Sequence, residues 1–125
     1  MEQEPYGYEL ILDLHGCDIL TFNRKSLEEY FIKLCESIDM ERCELHFWDD
    51  AYLPEGQSYN LPHTKGISAV QFIVTSNITV HTLELLEKVF VNIFSCKGFD
   101  KDIAQKVTEE WFSSSSCEDL FIKRN

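Results

Sequence analysis

The sequence predicts an α+β fold: a two-layer sandwich whose largely antiparallel sheet is covered on one face by two helices. Three observations predict it. Several short segments alternate apolar with polar residues or are rich in β-branched ones, two longer segments repeat apolar residues at helical spacing, and most strand connections are of hairpin length. The 125 residues make one domain, 1–125, long enough to bury roughly two-thirds of the unfolded surface. With 44% hydrophobic and 13% aromatic residues, the chain has the material for a packed core.

The elements follow in order. "YELILDL" (8–14) carries apolar residues at 10, 12 and 14, the period of a half-buried strand. Gly16 and "NRK" interrupt it. "SLEEYFIKLCESI" opens with Ser26 and Glu29, a capping-box pattern, and places Leu27, Tyr30, Phe31, Leu34 and Ile38 on one helical face. "CELHFW" (43–48) alternates, with Leu45 and Phe47 on one side. Residues 49–65 contain two prolines and a glycine and read as a long loop, a class often functional or mobile. "ISAVQFIVTS" and "ITVHTL" predict two strands with a turn near Ser76–Asn77. "VFVNIF" (89–94) predicts another, with Phe90 and Asn92 opposed to the apolar set. Asp100 caps a second helix, with Ile103, Val107 and Trp111 as its core stripe. "SSSS" (113–116) reads as a linker and "DLFIKR" as a closing strand. The order is β-α-β-β-β-β-α-β.

The net charge of −11 argues against nucleic acid, whose phosphates need clustered Lys and Arg. It permits a cationic ligand, and it equally serves solubility. No apolar run approaches the ~20 residues of a membrane span. The opening "MEQEPYGYEL" lacks a basic and apolar leader pattern, so a cytoplasmic protein is expected. Five cysteines without CxxC pairing predict free thiols, and no spacing supports a metal site. "HGCD" (15–18) reads as a turn after the first strand, and "NIT" (77–79) as a chance sequon. Glu9 and Asp13 share the face opposite Leu10 and Leu12, where solvent, a cationic ligand or an oligomer interface would meet them.

One constellation stands apart. "TSNITVHTLEL" and "NIFSCKG" place Ser76, His81 and Cys96 at a spacing that resembles the S-adenosylmethionine decarboxylase family, the small prokaryotic pyruvoyl-dependent type. "KGISAV" is similar to the family's Gly-Val-Ser element and adds Ser68, and "YELILDLHGCD" resembles its opening strand. The likeness runs from about residue 7 to about residue 122.

The resemblance implies a proenzyme, or zymogen, that cuts itself between Thr75 and Ser76 into a β chain (1–75) and an α chain (76–125). Ser76 would attack the Thr75 carbonyl, His81 would remove the Ser76 α-proton, and Ser68 would assist. A pyruvoyl group made from Ser76 would serve as cofactor, forming a Schiff base with a substrate amine and acting as electron sink for the lyase reaction. Cys96 would return a proton to the carbanion. S-adenosylmethionine would be the substrate, polyamine (spermidine) synthesis the setting, and a homodimer the assembly.

The pattern also departs from the family. Thr75 stands where glutamate precedes the serine, Asn77 replaces a histidine, and Leu83, Glu84 and Leu85 replace Trp-Pro-Glu. Pro62 falls near the family's aromatic position, leaving Tyr52, Tyr59 or His63 to offer a ring face, and Glu84 or Glu87 to offer a charge if that stretch is a turn. These changes keep open a decarboxylase for another cationic amino acid (arginine or ornithine) and a non-processing, catalytically silent structural or regulatory relative.

Overall fold

The computed structural model describes residues 4–125, so the first three residues of "MEQEPYGYEL", the stretch read for a leader pattern, lie outside it. Its strands are β1 (Gly7–His15), β2 (Arg42–Trp48), β3 (Gly66–Ile73), β4 (Ser76–Leu83), β5 (Lys88–Ser95) and β6 (Ser116–Arg124). Its helices are α1 (Arg24–Ser37) and α2 (Lys101–Phe112), with short 3-10 turns at Ile19–Thr21 and Asp50–Tyr52. The strands form one antiparallel sheet in the order β2-β3-β4-β5-β1-β6. The α+β two-layer expectation holds. Among the described residues, no helix is long and apolar enough to cross a membrane.

Topology explains why one face stays bare. α1 joins the parallel strands β1 and β2 in one lateral direction, and α2 joins β5 and β6 in the other. β1 and β5 run antiparallel, so two right-handed crossovers starting from them land on the same side of the sheet. Beneath the helices lie Leu10, Leu12, Leu14, Ala69, Ile73, Ile78, Val80, Val89, Val91 and Ile93, all buried. Their alternate neighbours, including Ile11, Val70, Phe72, Phe90, Asn92 and Leu120, project from the uncovered face. Phe72 and Leu120 remain 44% and 55% exposed there, so this face is partly apolar.

Several local expectations need correction. α1 starts before the supposed capping box. Asn23 is its cap, accepting from the Ser26 N–H at 2.8 Å, while the Ser26 hydroxyl accepts from the Trp111 indole N–H at 3.1 Å. α2 is capped by Asp100 as expected, but its inward stripe is Ala104, Thr108 and Phe112. Val107 and Trp111 flank that stripe, and Ile103 is exposed. The stripe is rotated by one residue, which gives the buried Tyr30 of α1 a polar partner in Thr108 at 2.7 Å. The serine run is no linker: Ser113 ends α2 in the left-handed conformation, and Ser116 already belongs to β6.

One buried polar side chain has a structural task that the sequence did not reveal. β2 bulges between Arg42 and Leu45, taking backbone groups out of the ladder. Gln71, fully buried, donates to the Cys43 and Glu44 carbonyls at 3.1 and 3.2 Å, and its own carbonyl accepts from Arg42 at 3.0 Å.

Candidate active site

The β3–β4 hairpin carries the site residues. Its turn is Val74–Thr75, two residues earlier than the predicted Ser76–Asn77, so Ser76 opens β4 opposite Ile73. The Ser76 φ of 158° is close to fully extended backbone, as suits a strand's first residue.

Ser68 and His81 face each other across β3 and β4 on the uncovered face, with Ser68 Oγ 2.9 Å from His81 Nδ1. A neutral imidazole accepting there carries its proton on Nε2, and the hydroxyl fixes the ring's orientation. Trp48 lies in register with Ser68, so Trp48, Ser68, His81 and Phe90 form a row across four strands. A cleft of about 330 Å³ opens over this row, lined by Trp48, Tyr59, His63, Ser68, His81 and Leu83. Gly66 opens β3 at its floor because any side chain there would strike the Thr82 carbonyl, 1.6 Å from where a Cβ would sit.

Two of the expected substrate residues, Tyr59 and His63, thus share the cleft with Ser68 and His81. Trp48 was missed. It stacks on Tyr52 with centroids 4.4 Å apart and planes within 5°, and its indole donates to Tyr59 Oη at 3.1 Å. The available signal was its parity: with Leu45 and Phe47 turned to the core, Trp48 had to point away. One contact to α1 and one within the loop itself hold residues 49–65 beside the cleft. Asp49 takes a bidentate contact from Arg24 at 2.7 and 2.8 Å, which holds its carboxyl below the usual range, and Asp50 accepts from the Tyr59 N–H at 2.9 Å. Glu84 lies in the β4–β5 turn, 3.9 Å from Lys65, and lines a neighbouring hollow of about 200 Å³ with Asp49 and Asp50.

Ser76 and Cys96 sit elsewhere. They meet at the opposite end of β4, where Ser76 pairs with Ser95 and the Cys96 N–H donates to the Thr75 carbonyl at 3.0 Å. Cys96 is exposed, and Ser76 is half-buried. Five residues along a strand separate Ser76 from His81, about 16 Å at the ordinary rise, and the odd step turns their side chains to opposite faces. Within one chain the structure therefore builds two pairs, Ser68 with His81 and Ser76 with Cys96, and does not gather all four.

Three of the other thiols are buried or half-buried. Burial pushes Cys17, Cys35 and the half-buried Cys117 up to about 11, so they stay protonated at neutral pH. Cys43 is exposed on the edge strand β2, at the same end of the sheet as Ser76 but with β3 between them.

Comparison with known proteins bears on the family and the fold. The family profile described as S-adenosylmethionine decarboxylase matches residues 8–125. Two relatives from Clostridium botulinum, strains Loch Maree / Type A3 and 657 / Type Ba4, each named S-adenosylmethionine decarboxylase proenzyme, are 30% identical over 99 residues. These alignments cover 75% of this chain and 72% of theirs. The crystal structure of the adenosylmethionine decarboxylase from Aquifex aeolicus VF5 superposes with a TM-score of 0.78 at 16% identity, covering 98% of this chain and 93% of that one, and so shares its fold. On the family match and the Clostridium relatives together, this chain belongs to the S-adenosylmethionine decarboxylase family.

Proposed function

We propose that this protein is a self-processing S-adenosylmethionine decarboxylase whose reaction centre is shared between two copies of the chain. The carrying observation is the separation of Ser68–His81 from Ser76–Cys96 by about 16 Å along β4. A base must reach the proton it removes within hydrogen-bond distance, so His81 cannot serve the Ser76 of its own chain. Two copies packed by their uncovered faces, related by a two-fold axis, can lay the Ser68–His81 pair of one against the sheet end that holds Ser76 and Cys96 in the other, so that His81 reaches the Ser76 α-carbon from the open hairpin edge. The partly apolar, helix-free face supports that arrangement.

The Thr75–Ser76 peptide suits cleavage. It lies at a hairpin tip, so a cut there leaves the registered β3–β4 and β4–β5 pairs intact and both fragments in one sheet. The Cys96 N–H already points at the Thr75 carbonyl oxygen, where negative charge develops on attack. The Ser76 Oγ bonds to the Thr75 carbon, the carbon–nitrogen bond breaks, and the hydroxyl proton ends on the freed amine. His81 of the second copy then takes the Ser76 α-proton, and the Thr75 carboxylate departs. Tautomerisation and addition of water release ammonia and leave a ketone at residue 76.

That pyruvoyl group supplies the electron sink for decarboxylation. Around it the chain's own residues have separate tasks: Cys96, at the same sheet end as residue 76, is placed to return a proton, and Ser68 orients His81. The cleft of Trp48, Tyr59 and His63 offers aromatic surface for the substrate's ring, and the adjoining Asp50 and Glu84 offer negative charge for its sulfonium. The reading carries a cytoplasmic setting and a role in polyamine synthesis, and the free thiols suit a reducing compartment.

The test is intact mass under denaturing conditions, followed by release of carbon dioxide from S-adenosylmethionine against arginine and ornithine. Two chains divided after Thr75, the second lighter by one ammonia than a serine-started peptide, are expected, with S-adenosylmethionine preferred. One chain that stays whole overturns the reading. Sharing of the centre is tested by co-expression: His81→Ala alone should stay whole, and beside Ser76→Ala the His81→Ala chain should divide. No rescue in the mixed pair overturns the shared centre.

A further inference from the structure

The hairpin tip that holds the Thr75–Ser76 peptide is not one its own sequence favours. Two-residue hairpin turns ordinarily need a positive φ and use Asn, Asp or Gly to supply it. Val74 and Thr75 are both β-branched, and neither has a positive φ. The turn is held from outside instead. The Val74 N–H donates to the Glu41 carbonyl at 3.1 Å, and the Cys96 N–H donates to the Thr75 carbonyl at 3.0 Å. The Thr75 side chain sits in a directed chain: the Lys97 N–H donates to Ser95 Oγ at 3.0 Å, Ser95 Oγ donates to Thr75 Oγ1 at 2.8 Å, and Thr75 Oγ1 donates to Met40 Sδ at 3.4 Å. Ser95 is fully buried and stands directly opposite Ser76 in the β4–β5 register.

We propose that Ser95 is a positioning residue for self-cleavage, gripping the Thr75 hydroxyl while the next residue's amide holds the Thr75 carbonyl. Consecutive residues of one rigid strand end thereby fix one residue at its side chain and at its carbonyl. With both held, rotation about the Thr75 Cα–C bond is blocked, and the peptide plane keeps one face toward the Ser76 hydroxyl. The step served is the first one: the Ser76 Oγ–Thr75 C bond forms, the Thr75 C–Ser76 N bond breaks, and the proton passes to nitrogen. Alignment of that kind governs such intramolecular attacks, where a displacement of about 1 Å costs as much as 10²-fold. The inference rests on the self-cleavage reading.

The experiment follows division of freshly translated chains by intact mass, with thermal unfolding measured alongside on a Ser76→Ala background. Ser95→Ala removes both the grip on Thr75 and the acceptor for Lys97. Thr75→Val removes the grip, along with the contact to Met40 Sδ, and keeps the β-branch and the Ser95–Lys97 bond. Both should divide at least about tenfold more slowly than wild type, while Ser95→Thr, which keeps the hydroxyl, divides at close to the wild-type rate. Hydroxylamine cleaves an ester and spares an amide, so it should not speed Ser95→Ala, whose delay precedes the ester. A purely structural Ser95 would lower the unfolding temperature in Ser95→Ala and leave Thr75→Val dividing normally, which overturns the proposal. A wild-type chain that never divides overturns the self-cleavage reading and this one with it. A dividing wild type matched in rate by both variants overturns this one alone.

Discussion

Tyr30 and Thr108 illustrate how unequal the two ends of one hydrogen bond can be. Both are fully buried and lie 2.7 Å apart, and Thr108 Oγ1 also donates to the Ala104 carbonyl at 2.7 Å. Tyr30 therefore donates to Thr108, and its burial pushes the phenol above its ordinary range. Tyr30→Phe leaves Thr108 its helical partner and should cost about 0.5–1.5 kcal/mol. Thr108→Val strands the phenol O–H in the core and should cost about 1–3 kcal/mol. Urea unfolding of the two variants checks the order; a larger loss for Tyr30→Phe would contradict it. At this scale the strand residues were legible, since a period of two assigns each side chain to a face, and Glu9, Asn92 and His81 lie where parity put them. Thr108 was not, because Ile103, Val107 and Trp111 repeat with the same helical period as Ala104, Thr108 and Phe112. Size alone favours the first set. The hydroxyl of Tyr30, a residue 78 positions away, selects the second.

Helix α1 shows the same limit at its start. Ser26 and Glu29 read as a capping box, yet Asn23 holds the cap and Ser26 lies within the first turn, bonded to Trp111 of α2. Asn23→Ala should destabilise the fold by about 1 kcal/mol. Ser26→Ala should cost less once Trp111→Phe has already removed the indole donor, and the same in the presence or absence of Asn23→Ala. A double-mutant cycle in urea reads that coupling. The β3–β4 turn was misplaced for a related reason. Ser76 and Asn77 have turn chemistry and Val74–Thr75 does not, but register is decided by pairing on both flanks, and the Glu41 carbonyl and the Cys96 amide hold the less favourable pair in place. The strands themselves were found because β-branched runs and alternation do not depend on their partners.

At the scale of the whole molecule, the bare face of the sheet carries the proposed assembly. Phe90 sits near its centre, in register between His81 and Asp13 and only half-buried. Phe90→Glu would place a charge without a partner in a paired face, at the cost of desolvating it. The variant should sediment as a monomer with a thermal midpoint within a few degrees of a monomeric control, and it should remain one uncleaved chain. A Phe90→Glu protein that still pairs and divides would place the interface elsewhere.

The sequence by itself determined the family, the fold class and the parity of the strands and singled out Ser68, Ser76, His81 and Cys96 as candidates, because residue type, period and spacing are properties of the chain alone. Tertiary structure decided where those four stand. Hairpin register pairs Ser68 with His81, sheet order sets Ser76 opposite Ser95 and so beside Cys96, and the strand's own length keeps the two sets apart. It also brought Trp48 beside Ser68 and Ser95 beside Thr75, contacts between strands that sequence spacing cannot encode, since each depends on which two backbones share a ladder and at what offset.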